Sequence, residues 1–234
     1  MITIDENLKR KCEFCDKMGS PQDTINLMEV NMKDHNLVLA KNLKNEAERI
    51  MKIKDIWQPF KNHGKIHLSG SAELDLLVYP DLDVYFDFYN SSPVLAEIFA
   101  EVASNIVKLP EVVSIRLAKE LHKTSPTNIP KGIYLQVKYR NNDKIWQIDI
   151  WHLEDKEKLN EKIKETAELK LKINSDPLLK KIILSAKHAI KRADGSTPSF
   201  ASYYVYQAVL NEGLTDIEDI KSYIKKHNIP LIKH

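Results

Sequence analysis

Hydrophobic positions along the chain recur with two different periods, and the change from one to the other organises the reading. In "KNLKNEAERIMKIKDIWQPFKNHG", Leu43, Ala47, Ile50, Ile53, Trp57 and Phe60 return every three or four residues with charges between them, the spacing of one helix face. The pattern predicts a helix from Thr24 to Asn62, closed by Pro59 and Gly64, after a polar and irregular stretch over residues 1 to 22. Beyond Gly64 the period shortens. "KIHLSG" reads as a short strand and "SAELDLLV" as a helix with Ser71 where a cap belongs. "LDVYFDFY" alternates, with Asp81, Asp83, Tyr85 and Asp87 on one side and Leu82, Val84, Phe86 and Phe88 on the other.

The same reading carries to the end of the chain. "SPVLAEIFAEVASNIVKL" is an amphipathic helix opened by Ser92 and Pro93, and "VVSIRLAKEL" is a strand running up to the loop "TSPTNIPKG". "IYLQVKYR" and "KIWQIDIWHL" flank the turn residues Asn141, Asn142 and Asp143 as a hairpin. In its second arm Ile145, Gln147, Asp149 and Trp151 share a face, which leaves Asp149 a lone acid among bulky neighbours. After Glu154 everything reads as helix: an exposed, charged "DKEKLNEKIKETAELKLKI", then "DPLLKKIILSAKHAIKRADG" with Asp176 as cap, Pro177 in the first turn and Gly195 beyond the last, then two more.

These elements predict an α+β fold. A small mixed sheet bears the acids, an amino-terminal helix lies behind it, and a carboxy-terminal helical region forms the other wall of a cleft. The expected division is residues 1–63, a core over 64–155, and a helical domain over 156–234.

Composition narrows the function classes. The chain has 234 residues, 43% hydrophobic and 29% charged, enough to bury a full core. No apolar run is long enough to span a bilayer, and "MITIDENLKRKCEF" lacks the apolar centre of a signal peptide, so a cytoplasmic protein is expected. A formal net charge of +2, with both signs mixed throughout, gives no footprint for sequence-independent nucleic-acid binding. Cys12 and Cys15 form a CxxC, yet no second pair exists to complete a four-ligand zinc site and no strand precedes it as in a redox motif; reduced thiols are expected.

The candidate chemistry sits in "LSGSAELDLLVYPDLDVYFDFY". A Gly, then a Ser opening a helix after a strand, is either a turn and cap or a cradle of backbone N–H groups and a hydroxyl for a phosphate. Asp81 and Asp83 leave one strand from the same face, roughly 7 Å apart at the Cα. They are either solvated edge residues or ligands for Mg²⁺, since close carboxylates repel unless a cation lies between them. Asp149 supplies a third carboxylate if its strand lies beside theirs.

Together, Gly70-Ser71, nine intervening residues, Asp81-Leu82-Asp83-Val84 and then Asp149 on a distant apolar strand resemble the nucleotidyltransferase signature of the DNA polymerase beta superfamily, over roughly residues 64 to 153. One departure is Ser69, where that pattern usually has an apolar residue. The resemblance implies that Gly70 and Ser71 hold the nucleotide phosphates and that Asp81, Asp83 and Asp149 bind two Mg²⁺ ions. It further implies that Asp149 is the general base and that an NTP is the co-substrate. Lys187, His188 and Lys191 lie on one amphipathic helix, as a solvated basic face or with one of them, Lys187, reaching the triphosphate. Glu73 and Asp75 complement a helix dipole or orient substrate, and Asp87 is expected at the rim. The tyrosines of "ASYYVYQAV" are either core or a stacking surface.

By analogy with superfamily members of this size that carry a carboxy-terminal helical domain, the acceptor is expected to be an antibiotic-like small molecule, with nucleic acid and membrane not expected as partners. Protein-nucleotidylating enzymes of toxin–antitoxin systems, and a non-catalytic nucleotide-binding module of the same fold, are the alternatives.

Overall fold

A computed structural model describes residues 21–89, 95–119 and 131–231, with the backbone alone for residues 21–34. Cys12 and Cys15, the expected helix-opening pair Ser92 and Pro93, and most of the loop after "VVSIRLAKEL" lie outside the described residues. The amino-terminal part holds helices α1 (Pro21–Ile50) and α2 (Lys54–Lys61). The central part runs β1 (Gly64–Ser69), α3 (Gly70–Glu73), β2 (Asp81–Phe88), α4 (Leu95–Ile106), β3 (Val112–Lys119), β4 (Gly132–Asn141) and β5 (Lys144–Leu153). Helices α5 (Lys156–Ser175), α6 (Pro177–Ala189), α7 (Ala201–Tyr206) with a π-helical turn at Gln207–Asn211, and α8 (Ile217–Lys226) follow.

The architecture is α+β. Five strands form one mixed sheet in the order β1-β2-β5-β4-β3. Every pairing is antiparallel except β2 with β5, which run parallel and stand Asp83 opposite Asp149. The β4–β5 hairpin turns through Asn142 and Asp143, and Asn142 adopts φ 54°, a left-handed conformation that asparagine tolerates better than branched residues.

Alternation does the sorting expected of it. Leu82, Val84 and Phe86 of β2 and Trp146, Ile148 and Ile150 of β5 are fully buried on the sheet's far face. There they meet Leu43, Ala47 and Ile50 of α1, Trp57 and Phe60 of α2, and Phe99 and Val102 of α4. A large apolar side chain buried this fully stabilises by roughly 1.5–3 kcal/mol, so the acid-bearing strands are held rigid from behind. A second core joins α6, α7 and α8 to Leu74, Leu76 and Val78, the segment leading into β2, with Ala40 of α1 added to it. The entry to the acid strand is thus fixed by the carboxy-terminal helices. Among the described residues, no helix is long and apolar enough to cross a membrane.

Three expectations are corrected. The Thr24–Asn62 helix is two helices, α1 beginning already at Pro21 and the break falling at Met51–Ile53, where Ile53 is extended (ψ 107°). At the break the Ile50 carbonyl accepts from Ile53 N at 3.0 Å and from Trp57 Nε1 at 2.8 Å. Ser71 is not a cap. The helix after β1 is a single turn whose N-cap position is Ser69, without a side-chain cap bond, and the chain leaves helical geometry at Asp75 (φ 57°). Asp176 does cap α6, accepting from Leu178 N, but Gly195 (φ 83°) lies in the loop after Ile190 rather than at the helix end.

Candidate active site

The cavity of about 640 Å³ over the near face of the sheet is floored by Asp81, Asp83 and Tyr85 of β2 and by Gln147, Asp149 and Trp151 of β5. Ser69, Gly70 and Ser71 border it on the β1 side, and the α6–α7 loop, with Arg192, Asp194, Ser196 and Thr197, forms part of the facing wall. Gly70-Ser71, Asp81, Asp83 and Asp149, widely spaced in sequence, are therefore brought together on one surface.

Gly70 is there for space and for conformation. Its φ is +57°, and a Cβ built on it would lie 2.4 Å from Asp83 Oδ2, closer than atoms tolerate. The backbone of the Gly-Ser turn thereby approaches the acid strand directly. Ser71 Oγ lies 3.1 Å from Tyr206 Oη on the helical wall and accepts from Lys187 Nζ at 2.6 Å.

Each acid is held differently. Asp81 Oδ2 accepts from Tyr79 Oη at 2.8 Å, while its Oδ1 is buried with no hydrogen-bond partner among the described residues. Burial, then the charge of Asp149, pushes its carboxyl up to about 7, against the Tyr79 bond and Lys187. Asp83 is pushed well above the carboxylate range by burial, then by Asp81 and Asp149. Asp149, 9% exposed, accepts on Oδ1 from Tyr134 Oη at 2.7 Å and Gln136 Nε2 at 3.1 Å, and on Oδ2 from Gln147 Nε2 at 3.1 Å. Burial raises it too, opposed by those three bonds.

Three carboxylates on one face are raised by burial, Asp81 and Asp83 also by the charge of neighbouring acids, and such a group suits a bound cation. An unpartnered buried oxygen on Asp81 and a donor set of hard carboxylate oxygens fit Mg²⁺. The fit is strongest for Asp81 and Asp83. Among the described residues, no three acid, histidine or cysteine side chains are gathered as a ready ligand group. Both oxygens of Asp149 are engaged by three donors.

Lys187 departs from the solvated-face reading of its helix. It is 1% exposed, so it is no solvated face, and it does not line the cavity. Its Nζ donates to Ser71 Oγ, to the Leu76 carbonyl at 2.7 Å and to Tyr206 Oη at 3.4 Å. Burial pulls its amine down to about 7, with Asp81 and Asp83 opposing. It stands behind Ser71 and holds its hydroxyl in place. Lys187→Met, similar in volume, is expected to leave the Leu76 carbonyl unpaired and to lower stability by about 1–3 kcal/mol, read by chemical denaturation. Lys191 donates to the Val78 carbonyl at 3.0 Å.

The weaker candidates resolve as ion pairs. Glu73 accepts from Lys170 at 2.6 Å, Asp75 faces Lys44 and Lys180, and Asp87 pairs with Lys156 at 2.5 Å. Tyr203 and Tyr206 line the cavity, whereas Tyr204 belongs to the helical core. Sequence reasoning passed over Tyr79, Tyr134, Gln136 and Gln147, the donors that hold the acids.

No protein-family model matches the chain, and no curated protein sequence does. Solved structures with a similar course include the non-canonical poly(A) polymerase complex GLD-2–GLD-3, at TM-score 0.49 and 12% identity, covering 78% of this chain and 60% of that one. A cytoplasmic RNA terminal U-transferase aligns at TM-score 0.42 and 16% identity, covering 75% and 52%. Terminal uridylyl transferase 4 from Trypanosoma brucei with bound UTP and UpU aligns at TM-score 0.39 and 12% identity, covering 76% and 59%. The chain spans less than two thirds of each of those chains.

Proposed function

We propose that the protein is an Mg²⁺-dependent nucleotidyltransferase that moves an NMP from an NTP to a hydroxyl of a small molecule and releases pyrophosphate. The observation carrying this reading is the parallel β2–β5 register, which sets Asp83 against Asp149 on the cavity face, beside a Gly-Ser turn close enough to touch Asp83. It is the arrangement that the motif resemblance implies.

In this reading Gly70 and Ser71 receive the triphosphate through backbone N–H groups and the Ser71 hydroxyl, which Lys187 and Tyr206 hold in place. Asp81 and Asp83 would hold two Mg²⁺ ions, which supply charge neutralisation of the phosphates and a more acidic acceptor hydroxyl. Asp149 Oδ2 carries one hydrogen bond against two on Oδ1, so it has a lone pair for the acceptor proton. The acceptor oxygen forms a bond to the α-phosphorus, the bond from that phosphorus to the bridging oxygen breaks, and the electron pair leaves with pyrophosphate. A small acceptor is favoured because Arg192 is the one cation among the described residues lining the cavity, and a long polyanion is gripped by several.

The test is incubation with each α-labelled NTP, Mg²⁺ and a panel of hydroxylated small molecules, proteins and an oligoribonucleotide. Label transfer that disappears in Asp81→Ala supports the reading. Transfer to the oligoribonucleotide alone overturns the small acceptor, and absence of transfer to every acceptor overturns the enzyme.

A further inference from the structure

The cavity face of the sheet is laid out in rows. Register places Asp83, Asp149 and Gln136 side by side, and one step further along the strands it places Tyr85, Trp151 and Tyr134 side by side. An acid row is followed by an aromatic row. The Tyr134 and Trp151 rings lie 4.2 Å apart at 37°, and the Tyr134 hydroxyl donates to Asp149, so the two rows are joined at that point. Tyr85 and Trp151 line the cavity and are half-buried. Trp57 and Trp146, the other tryptophans of the chain, are 1% and 0% exposed in the far-face core.

Position decides what this row is for. In the order β1-β2-β5 the Gly-Ser turn hangs from β1 and Trp151 lies on β5, so the acids stand between phosphate cradle and indole. Trp151 follows Asp149 by two residues on the same face, a rise of roughly 7 Å, which is the reach of a hydroxyl attached to a ring seated on it. Aromatic side chains left partly open in a cavity floor give up apolar burial that a flat ligand restores.

We propose that Tyr85 and Trp151 form the acceptor platform, and that the acceptor is a free small molecule with a planar ring beside its hydroxyl, such as a nucleoside-like heteroaromatic, rather than a saturated sugar or cyclitol. The proposal rests on the transferase reading for the word acceptor, but the platform itself is a binding site whose occupancy needs no chemistry. Stacking of this kind is worth about ten- to a hundredfold in affinity per ring.

The experiment uses Trp151 as its own reporter, because it is the one tryptophan facing the cavity. Adenosine is titrated into the full-length protein held with a saturating non-hydrolysable ATP analogue, and myo-inositol serves as the saturated control. The expected result is quenching by adenosine, none by myo-inositol, and an adenosine affinity by equilibrium dialysis that falls at least tenfold in Trp151→Leu and Tyr85→Leu but is kept in Trp151→Phe. Equal response to myo-inositol, quenching seen only in a parallel titration without the analogue, or unchanged affinity in both leucine variants overturns the platform. A short oligoadenylate binding more than a hundredfold tighter than adenosine overturns the free small molecule as the source of the ring. If adenosine quenches while no labelled NMP is ever transferred, the platform stands and the transferase reading falls. If transfer proceeds with an unchanged acceptor KM in Trp151→Leu, the reverse holds.

Discussion

Asp149→Asn is expected to lower the rate of nucleotidyl transfer about 1,000-fold while leaving NTP affinity unchanged or tighter. The substitution is a clean one because of how the side chain is held. An asparagine keeps an Oδ1 that accepts from Tyr134 and Gln136 as before. Its amide nitrogen then faces Gln147, whose own amide turns to present oxygen in place of nitrogen. Shape and hydrogen bonding survive, and the negative charge and the basic lone pair do not. The Gly-Ser turn proposed to hold the phosphates lies on the opposite side of β2, so the loss is expected in kcat. Single-turnover transfer and equilibrium NTP binding, measured on the same preparation, separate the two. Turnover at the wild-type rate removes Asp149 from the chemistry and leaves the acceptor proton to another group or to solvent. A parallel loss in kcat and NTP binding, with a lowered melting temperature, reassigns it to structure.

Much of this site was legible because β-strands record their faces in single residues. Alternation put Asp81 and Asp83 opposite Leu82, Val84 and Phe86, and the burial follows that division. Hairpin geometry was legible as well, and further than the reading took it. Counting outward from the turn at Asn142 pairs Asp149 with Gln136 and Trp151 with Tyr134, which yields both donors of Oδ1 and the aromatic row. The parallel pairing of β2 with β5 left no local trace, since α4, β3 and β4 intervene and no period says which strand lies next to which. The break between α1 and α2 was hidden for a related reason: Ile50, Ile53 and Trp57 keep helical spacing across it. Lys187 was the hardest case. Its partners, Ser71, Leu76 and Tyr206, come from three separate segments, and a lysine on an amphipathic helix looks the same in sequence whether it faces water or is sealed behind a hydroxyl.

Mg²⁺ is expected to raise the melting temperature at about pH 8 and to have little effect at about pH 5, with the difference lost in Asp81→Asn. Asp81 and Asp83 both have folded-state pKa values above those of the unfolded chain. For such groups the stabilisation is fully present below the ordinary carboxylate value and is lost as pH rises through the folded value, about 7 for Asp81. The metal-free protein therefore loses stability across that window by ionising carboxyls whose burial, and then the charge of neighbouring acids, disfavours the charged form. A cation between them offsets the cost of burying the charges and their repulsion, and it binds the ionised form alone. Its effect therefore grows over the same range in which the metal-free protein weakens. Calcium, which also prefers carboxylate oxygens, should stabilise likewise, whereas equal ionic strength of a monovalent salt should not. Melts with EDTA, Mg²⁺ and NaCl at the two pH values decide the matter. An Mg²⁺ effect equal at both, or one that survives in Asp81→Asn, places the ion elsewhere and leaves the two aspartates as a buried pair with no role in holding metal.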